Sequence, residues 1–405
     1  MPQLRIPMTA RSVDEPHRAA TQLELLFDLT FVVAVAAVVA QLGHAVADGH
    51  AAQAVSPFLQ VFFAIWWAWM NFTWFASSYD TDDVPYRLLT LLQMGGVLVL
   101  AAGVPAAFAA ADYRAITLGY LVMRVGLFVL WLRAAREHPE GRRTALRYAA
   151  GIGIAEVLWL VRLLLAELGV LTGVVLVVAF VALAGVELAV PMWAERSRGT
   201  SWHPRHIAER YALFTIILLG ESVLAASIGI ADVVSEGLHW SLVVVAGSGL
   251  VLLFALWWLY ELEPSGDGLS NRRSRSFLWG YGHYGIFASL AALGAGLEVA
   301  VRQTGAHGAL DPRGAGYAVA IPTALFLALL WASHSPIVPR SRVRPSVLFG
   351  AAALVLLAPA VGAGAGVGAV VALVALAAAA AVLVTILRTT APESAHPLTT
   401  VRSAR

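Results

Sequence analysis

Glu24 and Asp28 lie four residues apart in a long apolar stretch, so on a helix they share one face. Two carboxylates side by side repel, and one of them must hold a proton or meet a cation. Arg210, at the head of a later apolar stretch, is the candidate cation. In that stretch Glu221 follows Glu209 by twelve residues, about 18 Å along a helix, between the small residues Gly220 and Ser222. A charge at such a depth costs roughly 2.5–3.5 kcal/mol on insertion scales, which calls for protonation, a buried partner or a function. His283 and Glu298 share another stretch, about 22 Å apart, too far to hold one ion from one helix. The chemistry open to this set is the binding and relay of protons or cations. Asp28 and Glu221 are its centre, with Glu24, Glu209, His283 and Glu298 as relay or gating groups.

Each residue also has a plainer reading. Glu24 can cap a helix end, Glu221 can be protonated against a neighbouring helix, and His283 can be a packed histidine. Arg124 and Glu156, central in two successive apolar stretches, read as a structural ion pair. His203, His206 and Glu209 have metal-like spacing, but Pro204 interrupts them and Arg205 and Arg210 flank them, so no metal is expected. The tryptophans Trp66, Trp67, Trp69, Trp74, Trp257 and Trp258 read as packing or interface anchors.

The elements that position these groups follow from composition. The 405 residues are 59% hydrophobic and 13% charged, with a mean hydropathy of +0.76, against about a quarter charged in soluble domains. The expected fold is all-α, a polytopic transmembrane bundle of about twelve spans. They fall at 24–47, 57–77, 87–108, 115–134, 147–168, 172–190, 207–230, 241–262, 277–301, 315–333, 346–362 and 367–388. Pro359 and the run Gly362 to Gly368 supply the break between the last two. Residues 1–22 are polar and Arg-dotted, and read as an N-terminal segment without a cleavable signal.

Every basic residue among the 27 is arginine. Alternate loops hold most of them: Arg5, Arg11 and Arg18, then Arg87, Arg133 to Arg147, Arg196 to Arg210, Arg272 to Arg275, Arg340 to Arg344, and Arg388, Arg402 and Arg405. The opposite loops hold only Arg114, Arg302 and Arg313, while Arg124 and Arg162 lie inside spans. This asymmetry predicts both termini in the cytoplasm and an even number of helices.

The halves resemble one another. Phe63-Ala64-Ile65-Trp66-Trp67 matches Phe254-Ala255-Leu256-Trp257-Trp258, and Glu24 to Phe31 loosely matches Glu209 to Ile216. These matches keep order and spacing, which points to two six-helix repeats in parallel. The resulting division is a cytoplasmic segment 1–22, repeats 23–195 and 207–390, a linker 196–206 and a tail 391–405.

Much chemistry is excluded. No cysteine is present, so disulfides, thiolate catalysis and iron–sulfur ligation are out. No nucleophile-and-base set, phosphate loop or HExxH appears, and no cofactor is expected. The net charge of +2 gives no reason to expect nucleic acid. The expected partners are the lipid bilayer and an ion or small solute, with a homo-oligomer left open.

Glu24-Leu25-Leu26-Phe27-Asp28-Leu29-Thr30-Phe31 resembles the opening signature of the bacterial low-temperature-requirement A (LtrA) family. His206, Glu209-Arg210 and Leu219-Gly220-Glu221-Ser222 resemble its second signature, and Trp257-Trp258, His283 and Gly296-Leu297-Glu298 its later part. Leu26 stands where an aromatic residue would be expected. The resemblance runs from about residue 20 to 390. It implies a multi-pass bacterial membrane protein with no established substrate, named for a growth phenotype. The first signature is also similar to the Phe-Ser-Asp signature of a potassium-channel family built of six-helix repeats, from which Phe27 and Leu29 depart.

Three functions are compatible with these residues. The first is a transporter or ion conduit of the cytoplasmic membrane that uses the intramembrane carboxylates. The second is a sensor or scaffold for cold or envelope adaptation, with its carboxylates sealed in ion pairs. The third is a lipid-acting enzyme using His203, His206, Glu209 and Asp28.

Overall fold

A computed structural model describes residues 4–13, 15, 18–234, 239–305, 310–338 and 341–390. The expected tail 391–405 and Arg340 lie outside the described residues. The regular structure among the described residues is helical: α1 Gln22–Ala47, α2 Ala51–Tyr79, α3 Val84–Ala110, α4 Arg114–Glu137, α5 Arg142–Glu167, α6 Gly173–Ala194, α7 Pro204–Val234, α8 Trp240–Glu261, α9 Ser265–Asn271, α10 Ser276–Arg302, α11 Pro312–His334, α12 Pro345–Gly362 and α13 Val367–Thr390. Twelve are long and apolar enough to cross a membrane, as expected. The short α9 was not anticipated, because its Gly- and Ser-rich sequence reads as loop.

Local chemistry sets the helix ends. Thr21 caps α1 in a reciprocal box: Glu24 N–H donates to the Thr21 hydroxyl at 3.3 Å, and Thr21 N–H donates to Glu24 Oε2 at 2.8 Å. Asp83 caps α3 by accepting from Tyr86 N–H at 3.0 Å, and Pro204, Pro312 and Pro345 open three further helices. Between α12 and α13 the chain turns through a short 3-10 segment to Gly366, whose φ of +94° favours glycine.

In the first half α1 packs on α2 and α3, α3 on α4, α4 on α5 and α5 on α6. In the second half α7 packs on α8 and α10, α10 on α11, α11 on α12 and α12 on α13. The halves meet where α1 lies against α7 and α10. The most enclosed helix is α10, whereas α6 presents Val174, Val175, Val178 and Val181 outward, as a lipid-facing helix should. Small residues allow the closest crossings. A Cβ on Gly119 of α4 would stand 2.4 Å from the Leu100 nitrogen of α3, and one on Gly296 of α10 would stand 2.1 Å from the Ala318 oxygen of α11.

The matched aromatic segments differ in environment. Trp66 and Trp67 of α2 are buried, whereas Phe254, Trp257 and Trp258 of α8 are exposed on the bundle's outer surface.

Candidate functional site

The α1–α7 contact brings together the carboxylates that the sequence singles out. Asp28 is 1% exposed and engaged on both oxygens. Arg210 donates through Nε to Oδ2 at 3.0 Å and through Nη2 to Oδ1 at 2.5 Å, and Trp69 donates through Nε1 to Oδ1 at 2.7 Å. Arg210 Nη1 lies 2.8 Å from Glu24 Oε1, close enough for an ion pair although not aligned as a hydrogen bond. His206 Nε2 sits 3.2 Å from the same oxygen. Asp28 is therefore a saturated partner of Arg210, a geometry in which the planar fork of arginine outperforms lysine.

Glu209 stands apart from this pair. It accepts from Ala20 N–H at 3.4 Å, which ties the entry of α1 to α7. His203, His206 and Glu209 do not act as one set: His206 turns to Glu24, and His203 accepts from His206 N–H at 3.2 Å.

Asp80, at the end of α2 and outside the spans, lies near this cluster. Burial pushes its carboxyl up to about 6, Glu24 adds repulsion, and Arg18 and Arg11 oppose both. Above the ordinary value of 3.8, and up to about 6, the folded chain holds a proton that the unfolded chain has released. Stability therefore falls as pH rises through this window and stays lower above it. Asp80→Asn is expected to flatten that dependence and to raise stability near neutral pH by about 1–2 kcal/mol, after allowing for the 3.3 Å contact with Arg11 that it weakens. Thermal unfolding on either side of the window checks this, and an unchanged pH profile would exclude Asp80 as its source.

A second cluster corrects an expectation. Arg124 does not pair with Glu156; it pairs with Glu187 of α6, both side chains being almost wholly buried. Glu187 also accepts from Trp67 Nε1 at 2.9 Å, Tyr120 hydroxyl at 2.8 Å and Trp159 Nε1 at 3.2 Å. Four donors from α2, α4 and α5 thus converge on one carboxylate. Glu156, from the next helix, feels the charge of Arg124, but neither of its oxygens has a hydrogen-bond partner.

The third cluster lies at the far end of α7 and α10. Glu221 is 5% exposed, with Oε2 unpartnered, and the charge acting on it is that of Glu298. Glu298 packs against Gly43 of α1, whose added Cβ would come 3.1 Å from Oε2, and it pairs with Arg302 at 2.9 Å. His283 belongs to none of the three. Its Nδ1–H donates to Trp279 O at 2.8 Å, and its Nε2 accepts from Tyr260 hydroxyl at 3.1 Å, which fixes the neutral tautomer of a packed histidine.

Aromatic and aliphatic side chains separate the first cluster from the third. Arg210 and Glu221 are about 16 Å apart along α7. Phe31, Phe214, Leu218, Phe287 and Leu290 fill that interval, all fully buried, and Trp69 stacks on Phe214 with ring centroids 4.3 Å apart.

Twelve membrane-length helices that enclose paired and unpaired charges in an apolar interior define a multi-pass helical membrane protein. The chain belongs to the bacterial low temperature requirement A (LtrA) family, which it matches over residues 19–387. It is 30% identical over 280 residues to a protein of Rhizobium meliloti (strain 1021) described as uncharacterized protein RA0937. That match covers 66% of each chain, just under two thirds of the relative's length. No solved structure matches the chain.

Proposed function

We propose that this protein is a transporter or ion conduit of the bacterial cytoplasmic membrane, moving protons or monovalent cations along the seam of α1, α7 and α10. The observation that carries this reading is Glu221: a buried carboxylate with an oxygen that no protein donor satisfies, acted on by the charge of a second buried carboxylate, Glu298. Glu298 already has Arg302 as its partner, so Glu221 is the member that favours an added proton or cation. Asp28, Glu24 and Arg210 form the second station, nearer the N-terminal end. Their mutual pairing makes them a gate, since a cation arriving there competes with Arg210. Both termini face the cytoplasm, because the arginine-rich loops lie on that side. The packing of consecutive helices is alike in the two halves, which supports a duplicated six-helix unit, although α8 packs closely on α13 without an equal between α2 and α6, and α2 and α8 differ in which residues they bury.

The test is flux of protons and monovalent cations into liposomes that carry the purified protein, read with fluorescent reporters. Wild-type flux is expected above that of empty liposomes, and Glu221→Gln/Glu298→Gln is expected to lower it by about tenfold or more, as loss of a required ion ligand should. Folded protein without flux, or a variant that conducts as well as wild type, rejects the proposal. A second reading, a membrane sensor or scaffold, would then stand. It draws support from the sealed pairs Arg210–Asp28 and Arg124–Glu187 and from the packed layer beyond Asp28.

A further inference from the structure

The first half holds a buried cation with no carboxylate. Arg162, about five residues from the end of α5, is 5% exposed. It donates through Nη2 to Gln60 Oε1 at 3.4 Å and Leu176 O at 3.3 Å, both long, and its Nε has no partner. Its guanidinium carbon lies 5.7 Å from the ring centre of Tyr113, 5.7 Å from that of Trp159 and 5.6 Å from that of Phe180. Among the described residues the one titratable group acting on it is Tyr113, a neutral phenol at ordinary pH. Glu167, the acid next along α5, is half-exposed and lies near Arg114 instead.

Three rings are a partial answer to a buried charge. Cation–π contacts are worth about 0.5–2 kcal/mol each, whereas an unpaired ion inside a protein carries a penalty of several kcal/mol. The guanidinium offers five donors, and two long bonds leave most of that capacity unused. Beside it is a cavity of about 40 Å³, lined by Gln60, Thr117, Tyr120 and the same rings. A water needs roughly 10–15 Å³ by this measure, so the space suits a halide or one oxyanion group and little more. Tyr113, one of its walls, is the N-cap of α4, at the end of that helix where the headgroups of one leaflet would lie.

We propose that the recess around Arg162 is an anion site that takes a singly charged group, either a free halide or carboxylate or the phosphodiester of an anionic lipid. The anion supplies the charge-assisted hydrogen bonds that Nε and the remaining N–H groups lack, and the aromatic walls exclude larger, strongly hydrated anions. This site is separate from the Glu221–Glu298 pair and does not depend on the flux proposal.

The full chain in a neutral detergent provides the test. Thermal unfolding is followed while sodium bromide replaces sodium gluconate at constant ionic strength. A second arm adds short-chain phosphatidylglycerol, or phosphatidylcholine as its control, in gluconate. Wild type is expected to gain a saturable rise of about 2–4 °C, a shift of the size mass action gives for a ligand well above its Kd. A rise with bromide assigns a free anion, and a rise with phosphatidylglycerol alone assigns the lipid headgroup. Arg162→Gln is expected to abolish the response, and Arg162→Lys to keep a weaker one. If Arg162→Gln does not fold, equilibrium dialysis of radiobromide against wild type decides in the bromide arm, and dialysis of labelled short-chain phosphatidylglycerol decides in the lipid arm. No shift in wild type, an equal shift in Arg162→Gln, or no stoichiometric uptake of either probe overturns the proposal.

Discussion

Cutting Arg124 back to methionine is expected to destabilise the protein by about 3–5 kcal/mol, because it leaves Glu187 charged and buried with neutral donors alone. The second member of the cycle is the diagnostic one. Arg124→Met/Glu187→Leu removes both charges and is expected to recover part of the loss, since it leaves no buried charge without its partner. Three indole and phenol donors would then lack their acceptor, at about 1–3 kcal/mol each where no water replaces it, so recovery should be incomplete. The measurement is the midpoint of thermal unfolding in detergent for wild type, both single variants and the double. If Arg124→Met costs no more than a surface substitution, the pair does not hold the first half together.

Arg210→Met is expected to cost at least as much, and here a conservative change should not rescue. The guanidinium serves two carboxylates, with two hydrogen bonds to Asp28 and close contact with Glu24, so its loss strands two negative charges on one face of α1. Lysine supplies a point charge without the fork, and Arg210→Lys should recover only part of the stability. Adding Asp28→Asn to Arg210→Met should recover more, because it removes the deeper of the stranded charges. The yield of monodisperse protein and its unfolding midpoint report both comparisons. If Arg210→Lys is indistinguishable from wild type, the bidentate geometry is not what stabilises α1 against α7.

The spans were legible because hydropathy over about twenty residues is a coarse property that tertiary contacts do not override. Arg210 could be placed against Asp28 and Glu24 for a different reason: the two segments looked alike, so their helices were expected in related positions. Nothing comparable marked Glu187. It is a single carboxylate in a very apolar span, and spacing along one helix says nothing about which way that helix is turned toward its neighbours. The available signal was the coincidence of Trp67, Tyr120 and Trp159, three donors in three apolar spans, which together need an acceptor. Glu156 was the nearer choice in sequence, but packing turned Arg124 to α6 instead. Trp257 and Trp258 were obscured by the same limit, since a matched sequence does not fix whether its rings face protein or lipid.

Phe31, Phe214, Leu218, Phe287 and Leu290, all fully buried, lie in the interval between the Arg210 cluster and Glu221. On the proposed route an ion would have to pass these buried apolar side chains, which at ordinary interior packing leave no space for a hydration shell unless α1, α7 and α10 move apart. Each passage would then require a displacement of whole helices, on the microsecond-to-millisecond timescale of such motions. Under the proposed function, passage along this seam would therefore proceed one event at a time, at the pace of a carrier rather than of an open pore.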